Sequence, residues 1–249
     1  MPLLTYEHQG SGTTLVWLHG FTQTRASAHQ FRTILAGSHE LLVTDLPGHG
    51  AASAVHASLD ETADLLASSL PEYPVALGGY SMGARVALHV ALRHRERLSA
   101  LVLLGASRGI EDQAQRRERL ARDEALAVRV ETIGTERFLD EWLAQPMFST
   151  LPPDPLERAA RSRDAHGLAS SLRRCGTGTQ EFLGPRLASL TVPTLCLAGE
   201  RDEKFLLEAR AIAAAAPNAS IEVVPATQHA AHLEDPEGCA RLVTTFLSN

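Results

Sequence analysis

The chain has 249 residues, 44% of them hydrophobic and 21% charged, enough to bury a substantial core in one large domain or two small ones. Its 23 basic and 29 acidic side chains leave a formal net charge of −6, and with no basic tract this excludes nucleic acid and anionic membrane surfaces as expected partners. No apolar run approaches the roughly 20 residues that span a bilayer.

In chain order, Met1 to His8 lacks the basic and apolar regions of a secretory leader, so a cytoplasmic protein is expected. Thr13–Leu18, Leu41–Thr44, Val75–Gly78 and Ala100–Leu104 then read as strands, followed after a long gap by Pro193–Ala198 and Ser220–Val224. These are continuous apolar runs rather than alternating ones, the pattern of parallel strands covered on both faces. Helical patterns lie between them near 59–70, 82–95, 204–216 and 235–247. Such alternation predicts an α/β sheet with right-handed crossovers.

Residues 107–186 differ. They are rich in arginine and helix-like over Gln113–Arg129 and Thr135–Leu143, are broken by Pro146 and by Pro152, Pro153 and Pro155, and contain no convincing strand. This stretch predicts a helical lid inserted into a core formed by 1–106 and 187–249. It holds 13 arginines and 13 acids, so it is neutral, and the whole −6 belongs to the core. Of the 23 basic residues only Lys204 is a lysine. Three widely spaced cysteines, Cys175, Cys196 and Cys239, suggest neither a disulfide framework nor a zinc site. There is no HExxH and no GxGxxG after the first strand, so neither a metal nor another cofactor is expected.

The strongest chemical signal is Gly79-Tyr80-Ser81-Met82-Gly83, which follows a strand at once and opens a helix. In that context GxSxG is a nucleophile elbow: small flanking residues admit a strained turn, and the helix N-terminus faces any developing anion. The partners of such a serine follow in the order acid, then histidine. Gly199-Glu200-Arg201-Asp202 and Gln228-His229-Ala230-Ala231-His232 close the last two strands. Asp202, further out in its loop than Glu200, and His229, within the loop itself, are the better choices; His232 is expected to pack or to line the pocket. His229 would accept the serine proton and Asp202 would hold the imidazole tautomer. His19-Gly20-Phe21 and the elbow nominate the N–H groups of Phe21 and Met82 for an oxyanion hole. His49, in Asp45-Leu46-Pro47-Gly48-His49-Gly50, is expected to be exposed or hydrogen-bonded in a structural turn.

With these residues in place the sequence resembles the α/β-hydrolase superfamily and, more narrowly, the 2-succinyl-6-hydroxy-2,4-cyclohexadiene-1-carboxylate synthases of menaquinone biosynthesis. The narrower resemblance rests on Leu18–Phe21, Asp45–Gly50, Gly79–Arg85, Phe138–Phe148, Gly167–Arg173 leading into Gly176–Gln180, Ala198–Phe205, and His229 with His232–Pro236. It implies an α/β-hydrolase fold, a mostly parallel sheet flanked by helices with the lid after the fourth motif-bearing strand. The implied activity is a carbon–oxygen lyase that removes a ring proton and expels pyruvate, with the triad acting as base. Carried over by position, Arg85 and Arg161 bind substrate carboxylates and Tyr80 and Trp142 line the pocket. A two-pronged guanidinium suits that task.

Three residues depart from the family pattern. Ala84 stands where a second glycine is usual, which is tolerable if the elbow helix stands slightly off the sheet. Gln228 replaces the glycine that usually precedes the histidine. Glu124 falls where a further lid arginine is expected, leaving that role unassigned. The expected partner is a small anionic substrate, and the oligomeric state stays open, a homo-oligomer included. A serine hydrolase with the same triad, or a non-catalytic receptor on this fold, are the rival readings, because fold alone does not define function.

Overall fold

The computed structural model describes residues 4–248, so Met1, Pro2, Leu3 and Asn249 lie outside it. Seven strands, β1 (Tyr6–Gln9), β2 (Thr13–Leu18), β3 (His39–Thr44), β4 (Val75–Tyr80), β5 (Leu98–Leu104), β6 (Thr194–Gly199) and β7 (Ala219–Val224), form one sheet in the order β1-β3-β2-β4-β5-β6-β7. All pairings are parallel except β1 with β3. The helices are α1 (His29–Ala36), α2 (Leu59–Ser69), α3 (Met82–Arg93), α4 (Gln113–Leu143), α5 (Pro155–Ala159), α6 (Ala165–Cys175), α7 (Glu203–Ala215), α8 (Ala231–Glu234) and α9 (Pro236–Leu247).

Alternate residues of each central strand feed opposite faces of the sheet. Val16 and Leu18 of β2 pack with Leu66 of α2, Leu88 of α3 and Ile212 of α7, whereas Leu15 and Trp17 pack with Phe31 and Leu35 of α1 and Val243 of α9. This two-sided burial explains the unbroken apolar runs. The chain leaves β2 for β3 on one side and returns to β4 on the other. That reversal opens a crevice beyond the strand ends, where ligands bind in sheets of this kind.

Of the strands and α-helices before α2, two are absent from the sequence reading. β1 is short and polar, and exists because it pairs along β3 at the sheet edge. α1 begins at Ala28, which has a φ of 57° and no side-chain cap. Its N–H is instead taken by Glu157 Oε2 at 2.6 Å, from α5 of the insertion.

Residues between β5 and β6 form the helical insertion; β5 is the fourth motif-bearing strand and, counting β1, the fifth overall. α4 breaks at Gly134, with φ 76° and ψ 164°, between the two helical patterns seen in the sequence. Ala127, Val130 and Phe138 of α4 pack on Leu168 and Leu172 of α6 in a small core of their own. Among the described residues no helix is long and apolar enough to cross a membrane.

Candidate active site

Strand ends bring the predicted residues together. Ser81 follows β4 with φ 52° and ψ −105°, outside the ordinary regions for an L-residue, and hands the chain directly to α3. The turn closes only because its flanks are bare. A β-carbon on Gly83 would lie 2.4 Å from Leu18 O, and one on Gly79 would lie 2.5 Å from the Gly83 carbonyl carbon. Ala84, in contrast, is fully buried in the α2–α3 core. The close approach of α3 to β2 is made at Gly83, and the fold accommodates Ala84 as a buried residue beside it.

Ser81 Oγ lies 3.0 Å from His229 Nε2, and His229 Nδ1 lies 2.7 Å from Asp202 Oδ2. Glu200 turns elsewhere and accepts the Ala226 N–H at 2.8 Å, so the structure brings Asp202 and not Glu200 to the imidazole. The ring of His229 is buried between Phe205, at 4.2 Å between centroids, and Tyr80, at 5.2 Å. A β-carbon on Gly105 would sit 2.9 Å from His229 Cε1, so this glycine, unremarked in the sequence, makes room for the ring.

Met82 is the first residue of α3, where a backbone N–H has no intrahelical acceptor. Among the described residues no protein acceptor takes the Phe21 N–H either. The Phe21 loop is braced by Gln23 Oε1, which accepts the Gly20 N–H at 2.9 Å. His19 Nδ1 donates to Gly20 O at 2.8 Å and its Nε2 accepts the Leu46 N–H at 3.0 Å; burial pushes this imidazole down to about 4. His49 is fully buried, not exposed, with Nδ1 on Pro47 O at 3.0 Å, and burial pushes it down to about 3. His232 packs behind the site, 4.2 Å from the Tyr80 ring and fully buried, and burial together with Arg161 pushes it down to about 3.

Ser81, Met82, Phe21, Asp202 and His229 open on a cavity of about 380 Å³. Tyr80 and Trp142 also line it, Trp142 with its ring edge-on to Phe21 at 5.0 Å. Arg85 reaches it from the second turn of α3. The residue is 8% exposed, and its Nη1 donates to Gln180 Oε1 at 3.3 Å, while Gln180 donates to Ser107 O at 2.9 Å. Among the described residues no carboxylate forms an ion pair with Arg85. Burial lowers it to about 10, so it remains a cation at neutral pH. Arg161 enters from the insertion, buried, with Nη1 on Thr22 Oγ1 at 2.6 Å and Nη2 3.4 Å from Glu157.

Three further cations line the cavity. Glu124, aligned by sequence to a lid arginine, faces Arg173 on the outer surface, at 2.9 Å. Arg119 and Arg122, less than two turns earlier on α4, line the cavity instead, Arg122 at its exposed rim and paired with Glu118. Arg119 is oriented by Asp123 at 2.8 Å. Lys204 completes the set, its ammonium lowered by burial and by neighbouring Arg119. The cavity thus sets a hydroxyl–imidazole–carboxylate relay among five cationic side chains, of which Arg119, Arg122 and Arg161 are paired with Asp123, Glu118 and Glu157.

Residues 15–242 match the alpha/beta hydrolase family. The 2-succinyl-6-hydroxy-2,4-cyclohexadiene-1-carboxylate synthase of Photorhabdus laumondii is 34% identical over 94% of this chain and 85% of its own length. The enzyme of that name from Yersinia pseudotuberculosis is 34% identical over 97% of this chain and 89% of its own. Among solved structures, MenH from S. aureus superposes with a TM-score of 0.90 at 33% identity, covering 100% of this chain and 98% of that one. A thermophilic esterase from Thermogutta terrifontis, at 24% identity, shares the fold with a TM-score of 0.81 over 98% of this chain and 93% of its own. The chain belongs to the α/β-hydrolase family and, within it, to the 2-succinyl-6-hydroxy-2,4-cyclohexadiene-1-carboxylate synthases.

Proposed function

We propose that the protein is a carbon–oxygen lyase that eliminates pyruvate from a succinyl-enolpyruvyl-hydroxycyclohexene carboxylate in menaquinone biosynthesis. Beyond family membership, one observation carries this reading: Arg85, a buried cation without a carboxylate partner among the described residues, stands on the wall of the cavity that holds Ser81 and His229. Leaving such a charge unpaired costs several kcal/mol on the order of magnitude, which an anionic substrate would offset. A hydrolase of neutral esters has no use for it.

In this reading His229 draws the Ser81 proton and the pair removes the ring proton, while Asp202 steadies the imidazolium. The electron pair released is held as an enolate by the N–H groups of Phe21 and Met82. Collapse of the enolate breaks the C–O bond to the enolpyruvyl group. The leaving enolate takes up a proton and departs as pyruvate, which returns the relay to its starting state. Arg85 and Arg161 bind carboxylates of the substrate from the cavity wall, and Tyr80 and Trp142 pack against the ring. The helical insertion, residues 107–186, serves as the lid that excludes water.

The deciding experiment is a pyruvate-release assay with that substrate, coupled to lactate dehydrogenase. Release that vanishes in Ser81→Ala supports the proposal. Rapid cleavage of short-chain p-nitrophenyl esters with an acyl burst and no pyruvate would instead establish a serine hydrolase, and binding without turnover of either would establish a receptor.

A further inference from the structure

The residue before His229 is glutamine where the family pattern has glycine, and its side chain leaves the loop for the insertion. Its amide is oriented with nitrogen toward carbonyl oxygens, since the reverse sets oxygen against oxygen. Nε2 then donates to Pro146 O at 2.7 Å and to Met147 O at 3.2 Å, and the amide oxygen accepts from Ser149 Oγ at 3.1 Å. A second tie runs beside it. Glu234 Oε2 accepts the Gln228 backbone N–H at 2.9 Å and also the hydroxyl of Thr150. Residues 146–150 are thus fastened to the histidine loop at four points, spread over two side chains.

The fastened segment carries Phe148. Its ring lies 6.2 Å from that of His229 and 6.1 Å from that of Trp142, and it is 7% exposed. Phe148 also lines a neighbouring apolar cavity of about 830 Å³ as well as the 380 Å³ cavity of Ser81. It stands between the two, so its placement decides whether the catalytic space is closed on that side.

We infer that Gln228 is a positioning residue: with Glu234 it latches lid residues 146–150 to the His229 loop and so holds Phe148 as the cavity wall beside the imidazole. His229 itself is held independently by Asp202 and by the Phe205 ring, so the latch acts on the shape of the substrate space more than on the base. The kinetic part of this inference rests on the proposed lyase activity; the structural part does not.

Gln228→Met keeps the side chain's length and removes its hydrogen bonds, and Gln228→Gly removes both. In either variant, hydrogen–deuterium exchange at the amides of residues 147–151 is expected to quicken about tenfold, the loss of one or two net hydrogen bonds, while amides of the central strands keep their native rates. In pyruvate release, KM is expected to rise about tenfold with kcat changed less than threefold. That effect should disappear in a Phe148→Ala background, because the latch then has no wall to hold. Native exchange rates at 147–151 in both variants would overturn the latch. Effects of Gln228→Met and Phe148→Ala on KM that simply add would overturn its action through Phe148. Should the native protein release no pyruvate, the lyase reading fails, and the exchange comparison still decides the latch.

Discussion

Gln180 gives Arg85 its one hydrogen bond to a side chain of the described protein, at 3.3 Å, and is itself pinned to Ser107 O. The glutamine orients the guanidinium without neutralising it. In the proposed function such a cation awaits a substrate carboxylate, and folding bears the cost of its burial until one arrives.

Replacement of Arg85 therefore separates function from stability. Arg85→Met is expected to lower kcat/KM for pyruvate release by about 100-fold or more, the loss of a charge-assisted two-pronged contact. The same variant should unfold at an equal or higher denaturant concentration, because the buried unpaired charge is gone. Steady-state kinetics and urea titration on one preparation check both halves. A variant that loses activity and stability together would show that Arg85 serves the fold.

Ser81 poses the same trade in its backbone. A residue held at φ 52° and ψ −105° stores on the order of 1–3 kcal/mol. Ser81→Ala should abolish at least about 1,000-fold of the activity while leaving stability near native, since alanine keeps the strain. Ser81→Gly should be inactive yet about 1 kcal/mol more stable than Ser81→Ala, and thermal denaturation of the pair measures the difference.

The elbow glycines differ sharply from their neighbour. Gly83→Ala would press a methyl group to 2.4 Å from a main-chain oxygen of β2, and is expected to yield little folded protein. Ala84→Gly touches no such contact and should cost only about 1–2 kcal/mol, from helix propensity and a small void. Soluble yield and urea midpoints distinguish the two.

His19, His49 and His232 make the protein sensitive to acid. Burial pushes them down to about 4, about 3 and about 3, so the folded chain refuses protons that the unfolded chain binds below about 6.5. Their contribution is fully present above about pH 6.5 and is lost as pH falls toward those folded values. Each adds a slope of about 1.4 kcal/mol per pH unit within that window. Unfolding free energies at pH 7, 6 and 5 should decline steeply, and His232→Gln should remove about one-third of the part these three supply. An unchanged slope in that variant would show that His232 does not contribute.

Where the sequence was informative, the information was local. The central strands are unbroken apolar runs because helices cover both faces, and the elbow shows itself because its turn tolerates so few residues. β1 was invisible because nothing in Tyr6–Gln9 asks for a strand; the unpaired edge of β3 does. α1 was missed because its cap comes from Glu157, more than 120 positions away. The further lid arginine stayed unassigned because helical phase is hard to read from one sequence: Glu124 and Arg119 lie five residues apart, about 140° around α4, so Glu124 meets Arg173 at the surface while Arg119 lines the cavity. Gln228 looked like a lost glycine, and only its tertiary partners give it a purpose.

The carboxylate of Glu157 that caps α1 has one more implication. It also accepts from Gln23, the residue bracing the Phe21 loop, and it pairs with Arg161. One insertion residue thus anchors a core helix, the Phe21 loop and Arg161 at once. Lids in this superfamily cannot be exchanged here as interchangeable modules. A chimera that swaps the insertion inherits an uncapped α1 and a loosened Phe21 loop unless a carboxylate returns to position 157, so insertion and core must change together.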